Sequence, residues 1–340
     1  MAFRPTRRTR RVAAMQSPAL PTVSALVPTY RRVDDLRRCV EALFAQDRAP
    51  IEILVVARPE DHATWDYLSG LTTPPIPLRT VTVHIPGQVQ AINAGIDAAA
   101  ADVVAITDDD AAPHRDWCAR IARAFAEHPE VAGVGGRDNV RIGSRVLTGQ
   151  RSKVGIVPKF GRVTGSHHLG FGPARYVDVL KGVNGSYRTP LVRSIRLDER
   201  LRGTGAQVHW EISLCLRLRR QGWKLLYDPN ILVEHHIASR FDEDQRDSYN
   251  DVAQRNMAYN ESLIRMEYLA TPERLLYGLW AVGIGTRAAP GILQYLRLLP
   301  SSDRGVMGSK TAATIGGFVD AWRYLSKSAP SDSSTPISSR

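Results

Sequence analysis

The chain has little cysteine. Its three cysteines, Cys39, Cys118 and Cys215, are far apart and show no Cys-Xaa-Xaa-Cys spacing. They support no disulfide framework, and buried thiols in a reducing compartment are expected. No apolar run is long enough to span a bilayer. The longest one late in the chain, Leu275–Ile284, is short and contains two glycines. The first twenty residues contain no acid. They carry Arg4, Arg7, Arg8, Arg10 and Arg11, which reads as a disordered basic arm over 1–20. That arm lacks the apolar centre of a secretory leader. A cytoplasmic protein without a transmembrane helix is therefore expected. Neither Gly-Xaa-Gly-Xaa-Xaa-Gly nor a P-loop motif follows a strand, and Gly133-Val134-Gly135-Gly136 follows a helix. A dinucleotide site or a P-loop is thereby excluded.

What is present is a chain of 340 residues, 43% hydrophobic and 23% charged, with a net charge of +11. It can form one large domain or two ordinary ones, without staples. The basic balance admits nucleic acid, an anionic membrane surface or a phosphorylated substrate. Nucleic acid is set aside, because the arm has no interleaved aromatics and no recognisable module is present.

One stretch organises the rest. Val103-Val104-Ala105-Ile106-Thr107 runs into Asp108-Asp109-Asp110 and then Pro113. A β-branched apolar run reads as a strand buried on both faces. Such a strand cannot bury an acidic triplet, so the acids emerge at its carboxyl end, where open α/β sheets place ligands. Clustered carboxylates are hard oxygen ligands for Mg2+ or Mn2+. Taken alone, the triplet also fits a solvated acidic turn.

Strands at 23–27, 51–56 and 81–84 alternate with a helix that opens on Asp34-Asp35 and carries the stripe Leu36, Val40, Leu43 and Phe44, and with helices at 63–68 and 88–100, the pattern of a parallel, doubly wound sheet. Its loops Thr29–Arg32, Glu60-Asp61 and Asp108–Asp110 then converge on one edge. A helix from Trp117 and a strand over 131–134 follow. Residues 141–175 show no period, and 176–180 reads as a strand. Val208–Arg219 is a helix with Glu211 in its first turn, facing a cleft or simply complementing the helix dipole. Short strands at 223–227 and 231–233 lead to Glu234-His235-His236. From about residue 245 the pattern turns to amphipathic helices bearing arginines, read as packing against the domain or as a surface for anionic lipid. Residues 328–340 read as a disordered tail.

Several of these segments, in order, resemble family 2 glycosyltransferases of the GT-A fold. They are Val27-Pro28-Thr29-Tyr30-Arg31, Asn93-Ala94-Gly95, Thr107–Asp110 with Pro113, Gly182–Arg188, Trp210–Arg217 and the histidines after Val233. The resemblance covers about residues 22–240. It implies an α/β GT-A domain over 21–244, with a mixed, mainly parallel, doubly wound sheet, and a small helical extension over 245–327. It implies inverting transfer from a nucleotide-diphosphate sugar, with Mn2+ or Mg2+ as cofactor. Asp108 would face the donor ribose, Asp110 would bind the metal, and His235, or His236 in its place, would complete that site. Glu211 would be the general base. Pro28, Thr29, Tyr30, Arg31, Glu60, Asp61, Asn93 and Asp109 fall among its donor-binding positions, and Asn184, Arg188 and Trp210 in its donor and acceptor region. A glycan or lipid-linked acceptor in bacterial envelope or exopolysaccharide assembly is implied, with the protein cytoplasmic or peripheral at the inner face of the plasma membrane. No Gln-Xaa-Xaa-Arg-Trp stretch follows Glu211, which points away from a processive synthase. A non-catalytic nucleotide-sugar binder on the same fold and a sugar-phosphate nucleotidyltransferase are the alternatives. The second usually opens with a glycine-rich loop, and Pro28–Arg32 has no glycine.

Overall fold

The computed structural model describes residues 19–158, 162–246, 248–299 and 304–328. The expected basic arm up to residue 18 and the expected tail from residue 329 lie outside the described residues. In chain order the elements are β1 (Val23–Pro28), α1 (Val33–Phe44), β2 (Glu52–Ala57), α2 (His62–Ser69), β3 (Leu78–Thr82), α3 (Gln88–Ala98), β4 (Val103–Thr107), β5 (Ala111–Pro113) and α4 (Trp117–Glu127). Then come β6 (Val131–Ile142), β7 (Arg145–Val146), β8 (Arg175–Tyr176), β9 (Asn184–Arg188), α5 (Thr189–Ile195), α6 (Trp210–Arg220) and β10 (Lys224–His236). Four helices close the chain: α7 (Asp251–Tyr268), α8 (Thr271–Gly283), α9 (Ile292–Leu298) and α10 (Arg304–Ser328).

The strands form one mixed sheet in the order β3-β2-β1-β4-β9-β6-β10-β5. The first four are parallel, β6 and β10 are parallel to each other, and β9 runs antiparallel between β4 and β6. β1, β2 and β4 are buried along their whole length. Side chains on a strand alternate between faces, so these strands feed two cores. Leu26, Leu54, Val56, Val104 and Ile106 share one core with Ile92 and Ile96 of α3 and Leu214 and Leu218 of α6. Val27, Ile53, Val55, Val103 and Ala105 share the other with Leu36, Val40 and Leu43 of α1 and Ile121 and Phe125 of α4. α7 adds Tyr259, Leu263 and Ile264 to the first core, so the C-terminal helices are built onto the domain. The three cysteines are buried and free.

The parallel register, with Pro28 opposite Val56 and Leu26 opposite Ile106, brings Thr29, Arg58 and Asp108 to the same sheet edge. The acids leave the sheet where β4 stops at Thr107.

The centre of the sheet departs from the sequence reading. The expected strand over 176–180 reduces to Arg175–Tyr176. Asn184–Arg188, whose ends were expected in a donor and acceptor region, is the strand β9. Its turn-like composition is overridden by burial, because the Asn184 side chain meets the polar groups around it. Asn184 accepts a bond from Trp117 Nε1 (2.9 Å) and donates to the Ile231 and Arg137 carbonyls (2.9 and 3.2 Å). Replacing it leaves those buried partners unmet, so Asn184→Ala should lose roughly 2–4 kcal/mol in urea unfolding. A loss indistinguishable from zero would show that the three bonds carry no net stability.

The two short strands expected at 223–233 are one long strand, β10. Its register against β6 shifts between Asp228 and Leu232, a bulge of extra residues on β10. Gly136 of β6 sits beneath it, and a Cβ there would lie 1.9 Å from the Ile231 carbonyl oxygen. The Gly133–Gly136 run is thus strand, kept small by close approach of backbone.

Candidate active site

Three consecutive aspartates cannot face one way, and their roles divide accordingly. Asp109 is fully buried and turns back into the domain. Thr29 Oγ1 donates to it at 2.7 Å, Arg32 Nε at 3.0 Å, and Arg32 Nη2 pairs with its other oxygen at 2.6 Å. Burial works to raise the Asp109 carboxyl, while the Arg32 guanidinium and the Thr29 hydroxyl work to lower it. Burial likewise works against the Arg32 charge, but the three aspartates more than restore it. Asp109 therefore anchors the β1–α1 loop and is not among the residues that line the cleft beside Asp108 and Asp110.

Asp108 and Asp110 turn instead toward a cleft at the sheet edge, Asp110 while remaining buried. Asp108 accepts from Gln88 Nε2 at 3.3 Å. Asp110 Oδ2 accepts from the Ala238 amide at 3.1 Å and lies 3.5 Å from Arg32 Nη1. His235 comes from the far end of β10, and its Nε2 stands 3.4 Å from Asp110 Oδ1. Its Nδ1 bonds Asp138 Oδ2 at 3.1 Å, and Lys181 Nζ pairs with the same oxygen. An Nδ1–H given to Asp138 leaves Nε2 as the ring nitrogen that faces Asp110, free to take a cation once it has lost its proton. Burial disfavours an imidazolium here, yet Asp110 and Asp138 outweigh it and raise His235 to about 9. Burial also works to raise Asp110, but His235 and Arg32 pull it below the ordinary carboxylate range.

Asp110 Oδ1 and His235 Nε2 are buried and lack a hydrogen-bond partner. With a carboxylate oxygen of Asp108 they form a set whose ligand atoms all lie within 4.8 Å of one another. Two carboxylates and an imidazole suit a divalent cation, and the residues fit one. Of the two adjacent histidines it is His235 that joins the set. Successive strand side chains face opposite ways, and His236 lines a separate surface pocket with Arg38 and Arg141.

Asp108 and Asp110 border a cleft of about 760 Å³, counting the part that opens to solvent. Pro28, Thr29 and Tyr30 line one side, and Arg240, Phe241 and Arg246 line another. Arg58 lies over the Tyr30 ring, 4.0 Å from its centroid, and pairs with Asp242 at 2.9 Å.

Glu211 begins α6 behind His209, which holds a left-handed conformation (φ 79°). No other side chain pairs with its carboxylate among the described residues. Burial raises the carboxyl, opposed by its own backbone N–H and by His209, and the charges of Asp108 and Lys181 also reach it.

Residues 24–208 of the chain match the glycosyl transferase family 2 model. The chain belongs to glycosyltransferase family 2. Other likenesses agree. Over 104 residues it is 27% identical to glycosyltransferase AglE of Haloferax volcanii, a match covering 30% of this chain and about a third (34%) of that relative. Among solved structures, it superposes on the mannosyltransferase PcManGT from Pyrobaculum calidifontis in complex with GDP-Man and Mn2+, with a TM-score of 0.51 at 15% identity over 93% of this chain and 91% of that one. GalNAc-T7 with UDP, GalNAc and Mn2+ gives 0.57 at 12% identity, over 92% and 59%. S. aureus TarS with UDP-GlcNAc gives 0.51 at 15%, over 90% and 92%. These neighbours establish the GT-A fold.

Several expected site residues of this family 2 glycosyltransferase are used elsewhere. Asn93 is buried and braces the Leu197 backbone, accepting from its amide at 2.8 Å and donating to its carbonyl at 3.2 Å. Asp61 caps α2 through Thr64 and accepts from the Arg31 amide at 2.6 Å, fixing that residue's left-handed turn (φ 57°). Glu60 is exposed and outside the cleft lining, and Arg31 lines the surface pocket of His236. Arg188 sits opposite Val103, at the other end of β4 from the acids, and donates to the Val131, Phe125 and His128 carbonyls. Trp210 is buried against Gly182. Asn184 is part of the sheet. In each case the polar group is satisfied by the fold, or the residue lies away from the cleft.

The sequence reading missed Asp138, Lys181, Gln88, Arg58, Arg240 and Arg246. The one available signal was Arg58, a cation directly after β2 on the ligand edge of the sheet.

Proposed function

We propose that this glycosyltransferase moves a hexosyl or related sugar from a nucleoside-diphosphate donor to an acceptor hydroxyl with inversion. The observation that carries it is the cluster of Asp108, Asp110 and His235, whose ligand atoms lie within 4.8 Å of one another at the edge of a cleft bordered by arginines. In this reading Asp108, Asp110 and His235 hold Mn2+ or Mg2+. Bound there, the cation supplies Lewis-acid stabilisation of the departing diphosphate. The neighbours captured with GDP-Man and Mn2+ and with UDP and Mn2+ support that choice.

The chain's own residues do the rest. Tyr30, backed by Arg58, offers a flat wall for the nucleoside. Arg240 and Arg246 face the diphosphate and concentrate it by charge. Glu211, raised by burial toward the working range of a base, takes the acceptor's proton as oxygen attacks the anomeric carbon. The C–O bond to the diphosphate breaks as the new one forms, and a single base accounts for inversion. Holding both substrates together lowers the barrier further. A glycan or lipid-linked acceptor of envelope or exopolysaccharide assembly extends the proposal, supported by the apolar helical face described next.

Calorimetric titration with a panel of UDP-, GDP- and TDP-sugars in Mn2+ should reveal one preferred nucleotide, binding at about 1 μM–1 mM. Chelation should weaken it. No binding across the panel would sink the proposal.

A further inference from the structure

The C-terminal helices leave one side uncovered. Only Tyr277 is buried on α8, and α9 buries nothing. Leu275, Leu276 and Leu279 of α8 are 56%, 48% and 74% exposed, and Ile292, Leu293 and Leu296 of α9 are 50%, 57% and 51% exposed. The same spacing, i, i+1 and i+4, makes an apolar stripe on each helix. Leu275 and Leu279 continue into a groove of about 710 Å³ shared with Phe318, Val319 and Trp322 of α10. Exposed apolar surface of this extent marks a contact with something.

Charge says with what. Residues 271–328 contain seven basic residues (Arg274, Arg287, Arg297, Arg304, Lys310, Arg323 and Lys327) and three acids (Glu273, Asp303 and Asp320). Burial and the nearby Arg287 lower the Lys310 amine. Neither of these two cations has an ion pair among the described residues. Cations held together without an acid suit phosphate. A second copy of the chain is the poorer occupant, because a two-fold contact would set this basic face against itself. No helix of the described residues is long and apolar enough to cross a membrane. The face therefore has the character of one that lies on a bilayer.

We propose that the α8–α9–α10 face docks on an anionic lipid bilayer, with the leucine stripes at the acyl boundary and Arg287 and Lys310 on lipid phosphates. This goes beyond the catalytic reading and stands whatever the donor proves to be.

The test is flotation of the full chain, without donor, on phosphatidylcholine vesicles with and without phosphatidylglycerol. Binding should require phosphatidylglycerol and weaken at high salt. Leu279→Glu with Leu293→Glu should weaken it roughly tenfold or more. Arg287→Ala and Lys310→Ala should each cost roughly fivefold. Thermal unfolding of every variant checks that the exposed substitutions leave the fold intact. Any of these would overturn the proposal: no binding, equal binding to both vesicles, or binding that the variants leave unchanged. A dimer in light scattering that Leu279→Glu abolishes would overturn it in favour of a second copy. Donor binding by calorimetry is read separately, so failure here is distinguishable from failure of the proposed transfer.

Discussion

Glu211→Gln should bind donor and metal as the parent does and lose transfer by ~10²–10⁴-fold in kcat, the range a positioned base supplies. The substitution keeps the shape of the side chain at the start of α6 and removes only its capacity to accept a proton. No other side chain pairs with the Glu211 carboxylate among the described residues, so no partner is stranded. Because burial raises this carboxyl, the acid limb of the parent's kcat/KM profile should lie above the range of an ordinary glutamate. Activity should rise with pH through it, since the base works deprotonated. The stability sign follows from the same shift. At neutral pH the fold holds a carboxylate it disfavours, so the glutamine variant should be at least as stable as the parent. That advantage fades below the unfolded-state pKa, where both states are protonated. Loss of transfer with retained or improved stability is the signature of a site that gives up stability for chemistry. Undiminished transfer would remove Glu211 from the mechanism.

The second large effect is on the cation. Asp110→Asn should reduce Mn2+ affinity, read by electron paramagnetic resonance without donor, by more than about 100-fold. The amide can still meet the Ala238 N–H but no longer offers charge beside His235. Asp138→Asn provides the graded comparison. It leaves the proposed ligands in place but loosens the hold on the His235 Nδ1–H, and should cost about 10–100-fold. If both variants bind Mn2+ like the parent, the cation sits elsewhere.

Much of the fold could be read from the sequence because its outer half is built from local signals. β1, β2 and β4 are apolar runs, α1 and α4 carry clear stripes, and Asp108–Asp110 end β4 as a buried strand requires. The centre was harder. Asn184–Arg188 has the composition of a turn and becomes strand because Trp117, Arg137 and Ile231, distant in sequence, satisfy Asn184. Side chains such as Asn93, Asp61 and Arg188 resemble ligands in a motif, yet each meets a backbone group that only the folded chain provides. Asp138 and Lys181 carried no local mark, since Asp138 works through a histidine 97 residues away and Lys181 through Asp138, 43 residues before it. Arg240 and Arg246 lie in an irregular segment without a period to place them.

The bulge in β10 has a consequence for variation in this site. Asp228 pairs with Gly136 and Leu232 with Arg137, so three residues of β10 stand against none of β6. Three is an odd number, and on a strand an odd step exchanges the two faces. A one-residue slip of Leu232–His236 along β6 would carry His236 inward and His235 out, without altering either histidine. The register that restarts where Leu232 meets Arg137 thus decides which imidazole faces the acids.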